Sequence, residues 1–248
     1  MTDFCLRLAG RVIAVSAQYP STRAFCADYL SDGPVDFEVS VLPADLLSER
    51  EMSARIDEAE GRPVHPFSDA YLEKLAVYRK IAERLPAYDT VLFHGSAIAV
   101  DSQCYLFTAK SGTGKSTHAR LWREKFGPRA VMVNDDKPLL RFSNGEVLVC
   151  GTPWNGKHRL SANIAVPLKA LCLLERAAEN RVEPVSFRDA LPLLVQQAYR
   201  PSDPAAVKKT LELIYRMGST IPLFRLQCNM DPSAADTAYA GITGGQKT

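Results

Sequence analysis

The stretch between residues 109 and 117 constrains the fold of this chain more than any other. It reads A-K-S-G-T-G-K-S-T, the pattern of a phosphate-binding loop with Ala109 at the usual first glycine. The two glycines allow a tight turn in which successive N–H groups face one anion. Lys115 places a cation beside the outer phosphates, and Ser116 offers a hydroxyl to Mg²⁺. Alanine suits the first position if its φ is negative.

The residues on either side of this loop fit the same interpretation. Residues 104–108 form a short apolar run that predicts a strand, and residues 117–126 predict a helix that ends at Gly127-Pro128. A strand, a glycine-rich loop and a helix in succession are the context that a phosphate loop requires. The predicted nucleotide-binding residues are Ala109, Lys110, Ser111, Gly112, Thr113, Gly114, Lys115, Ser116 and Thr117.

Two adjacent acids follow the next apolar run. Residues 130–133 predict a strand, which ends at Asn134-Asp135-Asp136. Mg²⁺ prefers oxygen ligands and usually takes one or two carboxylates together with phosphate oxygens. One acid can therefore bind the metal while the other accepts the proton of an attacking hydroxyl. The alternative is a solvated turn after a strand.

Further candidates lie before and after these motifs. His94 follows an apolar run. It either contacts a transferred phosphoryl group or has only a structural role, and the sequence favours neither interpretation. The loop at residues 151–159 carries Lys157 and Arg159, cations suited to the charge that spreads over a phosphoryl group in transfer. Trp154 in the same loop packs against a base or substrate, or is structural. The alternative for the whole loop is a basic surface segment.

The elements predict two regions and a tail. Residues 1–86 contain a hairpin, an alternating strand and two helix candidates, which indicates an α+β accessory region. Residues 87–242 contain the phosphate loop with its strands and helices, and residues 243–248 predict a flexible tail.

Composition narrows the class of protein. Lys and Arg total 30 against 28 acids, and the net charge of +2 is scattered, so a nucleic-acid partner is not expected. Six cysteines show no C-x-x-C spacing, which favours buried free thiols in a reducing compartment. We expect no membrane partner and a cytoplasmic location, because the sequence shows neither a signal peptide nor a spanning segment.

Three motifs together resemble a known family. They are S-G-T-G-K-S-T-H-x-R-L-W from Ser111, V-N-D-D-K-P from Val133 and G-T-P-W-x-G-K from Gly151. They are similar to those of small bacterial HPr-kinase-like proteins, and the loop and acids also resemble HPr kinase/phosphorylase and the nucleotide core of phosphoenolpyruvate carboxykinase. The resemblance covers about residues 90–175. It implies an α/β fold in which the phosphate loop lies in a mixed sheet.

The resemblance also implies roles and an activity. Asp135 resembles the acid that takes the hydroxyl proton, Asp136 the metal-binding acid and His94 the histidine near the phosphoryl site. Arg159 is the nearest candidate for the family's catalytic arginine. These roles imply a kinase that uses ATP and Mg²⁺ on a hydroxyl of a peptide or protein serine, or of a small metabolite. Related kinases form oligomers, so a homo-oligomer is also implied.

Two other functions stay open. The chain is alternatively a nucleotide-binding regulatory module without turnover, with the N-terminal region as its partner surface. A phosphorylase or a pyrophosphate-using phosphotransferase is the other alternative, because the same loop supports that chemistry. The N-terminal region does not resemble that of HPr kinase.

Overall fold

A computed structural model describes residues 2–59, 61–156 and 158–244. The chain divides into two compact units, Met1–Arg84 and Leu85–Thr248, so the boundary lies two residues before the one expected at residue 86. The predictions about Lys157 and about residues 245–248 of the tail lie outside the described residues.

The N-terminal unit contains a three-stranded sheet in the order β1-β2-β3. Strands β1 and β2 form the expected antiparallel hairpin, and β3 pairs with β2 in parallel. The hairpin turns at Ala9 and Gly10, which adopt φ angles of 47° and 80°. A short helix, α1, was not predicted. The elements are β1 (Thr2–Leu8), β2 (Arg11–Ala17), α1 (Pro20–Phe25), β3 (Phe37–Ser40), α2 (Pro43–Ala59) and α3 (Asp69–Arg84).

The C-terminal unit contains the predicted phosphate loop. Its elements are β4 (Thr90–Leu92), β5 (Ser96–Val100), β6 (Gln103–Thr108), α4 (Lys115–Phe126), β7 (Ala130–Asn134), β8 (Leu139–Ser143), β9 (Glu146–Cys150), β10 (Ala165–Arg176), β11 (Arg181–Pro184), α5 (Phe187–Gln197), α6 (Pro204–Thr220), β12 (Leu223–Cys228) and α7 (Ser233–Ile242).

The sheet of this unit is mixed, which confirms the predicted mixed α/β class. In the described residues its strands follow the order β4-β8-β9-β10-β6-β5-β7, and β12 pairs with both β10 and β11. Strands β6, β10 and β12 are parallel, whereas β5 is antiparallel to β6 and to β7. Strand β7 therefore runs in the direction of β6. As a result, the loop after β6, the acids after β7 and the end of β10 lie at one edge of the sheet.

Helices cover both faces of this sheet because its strands are apolar on both sides. On one face, α4 and α7 pack against alternate residues of β5, β6 and β10, with Trp122 fully buried. On the other face, α5 and α6 pack against the remaining alternate residues. This packing fixes the direction in which α4 leaves the phosphate loop.

The described residues include every cysteine of the chain. All six cysteines are unpaired, and five are buried; Cys5 is partly exposed. Burial raises the pKa of Cys26 to about 12 and the pKa of Cys150 to about 11. No described helix combines the length and the apolar character needed to cross a membrane.

Candidate active site

The loop between β6 and α4 has the backbone that its sequence predicts. Gly112 and Gly114 adopt φ angles of 75° and 123°, which side chains disfavour. Ala109 is buried and is not among the described residues with positive φ, so alanine is tolerated there. Helix α4 begins without a side-chain cap and without an acid in its first turn. Its first N–H groups are therefore available to an anion.

Lys115 closes the loop on itself. Its Nζ donates a hydrogen bond to the carbonyl oxygen of Ala109 at 3.1 Å, and the side chain is buried. Burial lowers the pKa of Lys115, and the nearby carboxylate of Asp136 opposes that shift. The lysine therefore spans the loop and lies within electrostatic reach of one of the two acids.

Arg176 at the end of β10 also holds the loop, and sequence reasoning missed it. Its Nε donates to the carbonyl oxygen of Thr113 at 3.1 Å, and its Nη2 donates to that of Gly112. In a trans peptide the C=O and the following N–H point in opposite directions. Arg176 therefore helps to orient the N–H of Gly114 toward the side of the loop that lies away from the arginine. Only the pairing of β10 with β6 brings this arginine to the loop.

Asp135 is buried, with 4% of its surface exposed. Its Oδ1 accepts a hydrogen bond from the N–H of Gly156, while its Oδ2 is buried with no hydrogen-bond partner among the described residues. Burial raises the pKa of Asp135, and the charge of Asp136 adds to this, against the opposing effects of Gly156 and His158. A carboxylate with a raised pKa and one vacant oxygen is equipped to take a proton.

Asp136 has a different environment. Its Oδ1 lies 3.3 Å from Nε2 of His94, and its Oδ2 lies 3.5 Å from Nζ of Lys137. Burial alone would raise the pKa of Asp136, but the hydrogen bond from His94 and the charge of Lys137 outweigh it and lower the pKa. Asp136 therefore stays ionised at neutral pH, as a metal ligand must.

Asn134 stabilises the turn that follows β7 and contains the two acids, and sequence reasoning did not select it. Its Oδ1 accepts hydrogen bonds from the N–H groups of Asp136 at 2.9 Å and Lys137 at 2.7 Å. Its Nδ2 lies 3.0 to 3.2 Å from the carbonyl and hydroxyl oxygens of Thr152 and the carbonyl oxygen of Trp154. An asparagine that bonds the backbone two residues ahead forms a turn. This turn ties the acids to the loop at residues 151–156.

The 151–159 loop packs closely against neighbouring backbone at its first residue. A Cβ at Gly151 would lie 1.9 Å from the carbonyl oxygen of Ala162, so only glycine fits there. Trp154 is buried and therefore packs inside the protein. Arg159 is exposed, adopts a φ of 52°, and donates its N–H to the carbonyl of Gly156. Its side chain does not line the cavity at Asp135, whereas that of His158 does.

Two cavities adjoin the loop. The first, which we call the Asp135 cavity, has a volume of about 400 Å³. It is lined by Ser116, Thr117, Ala119, Arg120, Arg123, Met132, Asp135, His158 and Leu160. The second, the β10 cavity, has a volume of about 860 Å³ and is lined by residues 109–113, residues 173–176, Asp189, Pro192, Leu193, Gln196 and Arg225. The fold thus brings Ser116 and Asp135 to one cavity.

The residues fit a Mg²⁺ ion that completes its shell with nucleotide oxygens. The described residues contain no group of three or more His, Cys, Asp or Glu side chains that could hold a metal alone. Ser116 and the two aspartates match the usual supply of one hydroxyl and one or two carboxylates. The vacant Oδ2 of Asp135 is consistent with a partner that arrives with substrate.

His118, which follows the loop, is a packing residue. It is buried, and its Nε2 accepts a hydrogen bond from Nε1 of Trp122 at 2.9 Å. Burial lowers the pKa of His118 to about 4. It therefore stays neutral at physiological pH and contributes to the core beneath α4.

Comparisons with known proteins do not assign a function to the chain. No protein-family model matches the chain, and no curated protein matches it. Among solved structures, it is similar to the Hpr(Ser) kinase/phosphatase from Coxiella burnetii, with 10% identity over 63% of this chain and 99% of that chain. The TM-score of this match is 0.33, which is too low to support an argument about function.

Proposed function

We propose that the chain is an ATP- and Mg²⁺-dependent kinase that transfers a phosphoryl group to a hydroxyl. The observation that carries this proposal is that Asp135, whose buried Oδ2 has no hydrogen-bond partner among the described residues, lines the same cavity as Ser116, the metal-binding position of the loop. A loop that only binds nucleotide has no use for a buried proton acceptor at its metal position.

Each residue has a defined task in the proposed reaction. The N–H groups of the loop and the cation of Lys115 hold the β- and γ-phosphates, and Arg176 keeps the loop in its binding conformation. Ser116 and Asp136 would hold Mg²⁺, which neutralises charge on the phosphates. The acceptor hydroxyl attacks the γ-phosphorus and gives its proton to Asp135. A new O–P bond forms, and the bond to the β-phosphate oxygen breaks to release ADP.

The test separates binding from transfer. Asp135→Asn removes the proton acceptor but keeps the size of the side chain, so transfer from labelled ATP to an acceptor in a cell extract should fall about 10²- to 10⁴-fold. Binding of Mg-ATP, measured by calorimetry, should remain within a few-fold of wild type.

Asp101→Asn is the matched control. Asp101 lies in the same unit, is exposed and pairs with Arg129 away from the loop; its φ of 50° is tolerated by asparagine. Normal transfer by Asp135→Asn would reject the assignment of the base. Nucleotide binding without transfer by the wild type would favour a regulatory module, and transfer from pyrophosphate instead of ATP would favour the other phosphotransferase.

A further inference from the structure

We infer that the acceptor is a small alcohol that carries a phosphate or carboxylate group, and that Arg123 in the Asp135 cavity binds this anionic group. This inference rests on the proposed kinase function and names the class of its second substrate. It depends on which cavity takes the acceptor, on the charge of that cavity and on the spacing of residues along α4.

The acceptor belongs in the Asp135 cavity because its hydroxyl must reach the carboxyl group of Asp135, which lines that cavity. The β10 cavity suits the nucleoside of ATP. It is about twice as large and begins at the first half of the loop. It combines apolar Leu173, Pro192 and Leu193 with Gln196 and with the charged residues Lys110, Glu175, Arg176, Asp189 and Arg225. The apolar residues can pack against a planar base, and the polar groups can fix its orientation by hydrogen bonds.

The Asp135 cavity carries more cationic than anionic groups. Asp135 is the one acid among its lining residues, whereas Arg120, Arg123 and His158 supply nitrogen donors. Arg120 pairs with Glu124. Arg123 is exposed and makes no ion pair or hydrogen bond through its guanidinium with a described residue. A guanidinium held at a cavity without a carboxylate partner is suited to bind a phosphate or carboxylate from the ligand.

The spacing along α4 orients the acceptor. Ser116, Arg120 and Arg123 lie four and seven residues apart and so share one face of the helix. With a rise of about 1.5 Å per residue, Arg123 lies about 10 Å along the axis from Ser116. The hydroxyl end therefore lies beside Ser116 and Asp135, and the anionic group lies toward Arg123, away from the negative charge of Asp135. A volume of about 400 Å³ is that of a small-molecule site.

The experiment first saturates the loop with nucleotide and then titrates the Asp135 cavity with small alcohols. Protein saturated with Mg²⁺ and the non-hydrolysable ATP analogue AMPPNP is titrated by calorimetry with sn-glycerol 3-phosphate, 3-phosphoglycerate and glycerol. We expect saturable binding of the two anionic alcohols and none of glycerol. Arg123→Gln should weaken the binding of both about 10- to 100-fold, as expected for loss of a charged hydrogen bond, and Arg123→Lys should restore part of it.

Two controls keep the outcomes separate. Arg188→Gln removes an exposed arginine that lines neither cavity and should leave all affinities unchanged. In the wild type, failure of AMPPNP to bind would reject the proposed function itself. Normal AMPPNP binding without binding of either anionic alcohol would overturn the present inference. Weaker AMPPNP binding in Arg123→Gln would also overturn it, because the arginine would then serve the nucleotide.

Discussion

Asn134 provides a test of how the site is held together, because it links both acids to the 151–156 loop. Replacing it with alanine removes the two hydrogen bonds that its Oδ1 accepts from the backbone of Asp136 and Lys137. It also removes the donors that face Thr152 and Trp154. The Nδ2 group has two hydrogens for these three acceptors, so four hydrogen bonds are made at one time.

The expected cost follows from this count. Each hydrogen bond contributes about 1 kcal/mol net, so Asn134→Ala should lower the free energy of unfolding by about 4 kcal/mol. Asn155→Ala is the matched control, because the side chain of Asn155 makes one such bond with a described residue, from its Nδ2 to Oγ of Ser161 at 2.8 Å. That variant should lose about 1 kcal/mol.

Urea unfolding followed by tryptophan fluorescence measures the difference. The two tryptophans of the chain, Trp122 and Trp154, both lie in the C-terminal unit, so the signal reports on the unit that contains the site. Equal losses in the two variants, within 1 kcal/mol, would refute the role of Asn134. Where Asn134→Ala remains folded at low urea, transfer should fall more than nucleotide binding, because the acids move and the loop does not.

Two further predictions concern the loop and the core beneath it. Arg176→Gln removes the cation that holds the loop carbonyls, so the dissociation constant of Mg-ATP, measured by calorimetry, should rise about 3- to 30-fold. Arg176→Lys should recover part of the affinity. An unchanged dissociation constant in Arg176→Gln would argue against the role of this arginine in holding the loop. Burial lowers the pKa of His118 from 6.5 to about 4 in the folded protein, so the unfolded chain binds the extra proton between these pH values. The free energy of unfolding should be unaffected by this group above pH 6.5 and fall by about 3 kcal/mol as the pH drops to 4. In His118→Gln this part of the pH dependence, measured by circular dichroism, should disappear.

Local signals in the sequence predicted much of the C-terminal unit. The glycines of the phosphate loop and the apolar runs around it predicted β6, α4 and β7, and the structure has all three. The signals failed where tertiary packing overrides local propensity. Strand β10 spans Ala165–Arg176 because its first half pairs with β9 and its second half with β6, so its length depends on tertiary pairing. Helix α5 was missed; it contains Pro192, which ordinarily argues against a helix.

In the candidate site, too, the residues with a local sequence signal were predicted and those that depend on tertiary contacts were not. Sequence reasoning selected the loop, Asp135, Asp136 and His94, because each residue stands in a motif or at the end of an apolar run. It did not select Asn134, Arg176 or Arg123, because their roles depend on contacts between distant segments. Arg176 lies more than sixty residues beyond the carbonyls that it holds. Nothing in the local pattern around it distinguishes it from an ordinary charged strand end.

The sequence by itself determined that this chain has a glycine-rich loop of the phosphate-binding pattern between a strand and a helix, followed by a strand that ends in two acids. Turn geometry and strand ends depend on neighbouring residues, so they can be read locally. Only the tertiary structure decided that the two acids have different environments and opposite pKa shifts. Asp135 is desolvated, and its Oδ2 has no hydrogen-bond partner among the described residues, whereas Asp136 is stabilised in its ionised form by His94 and Lys137. Desolvation and pairing depend on which segments pack around a carboxylate, and strand order in the sheet sets that packing.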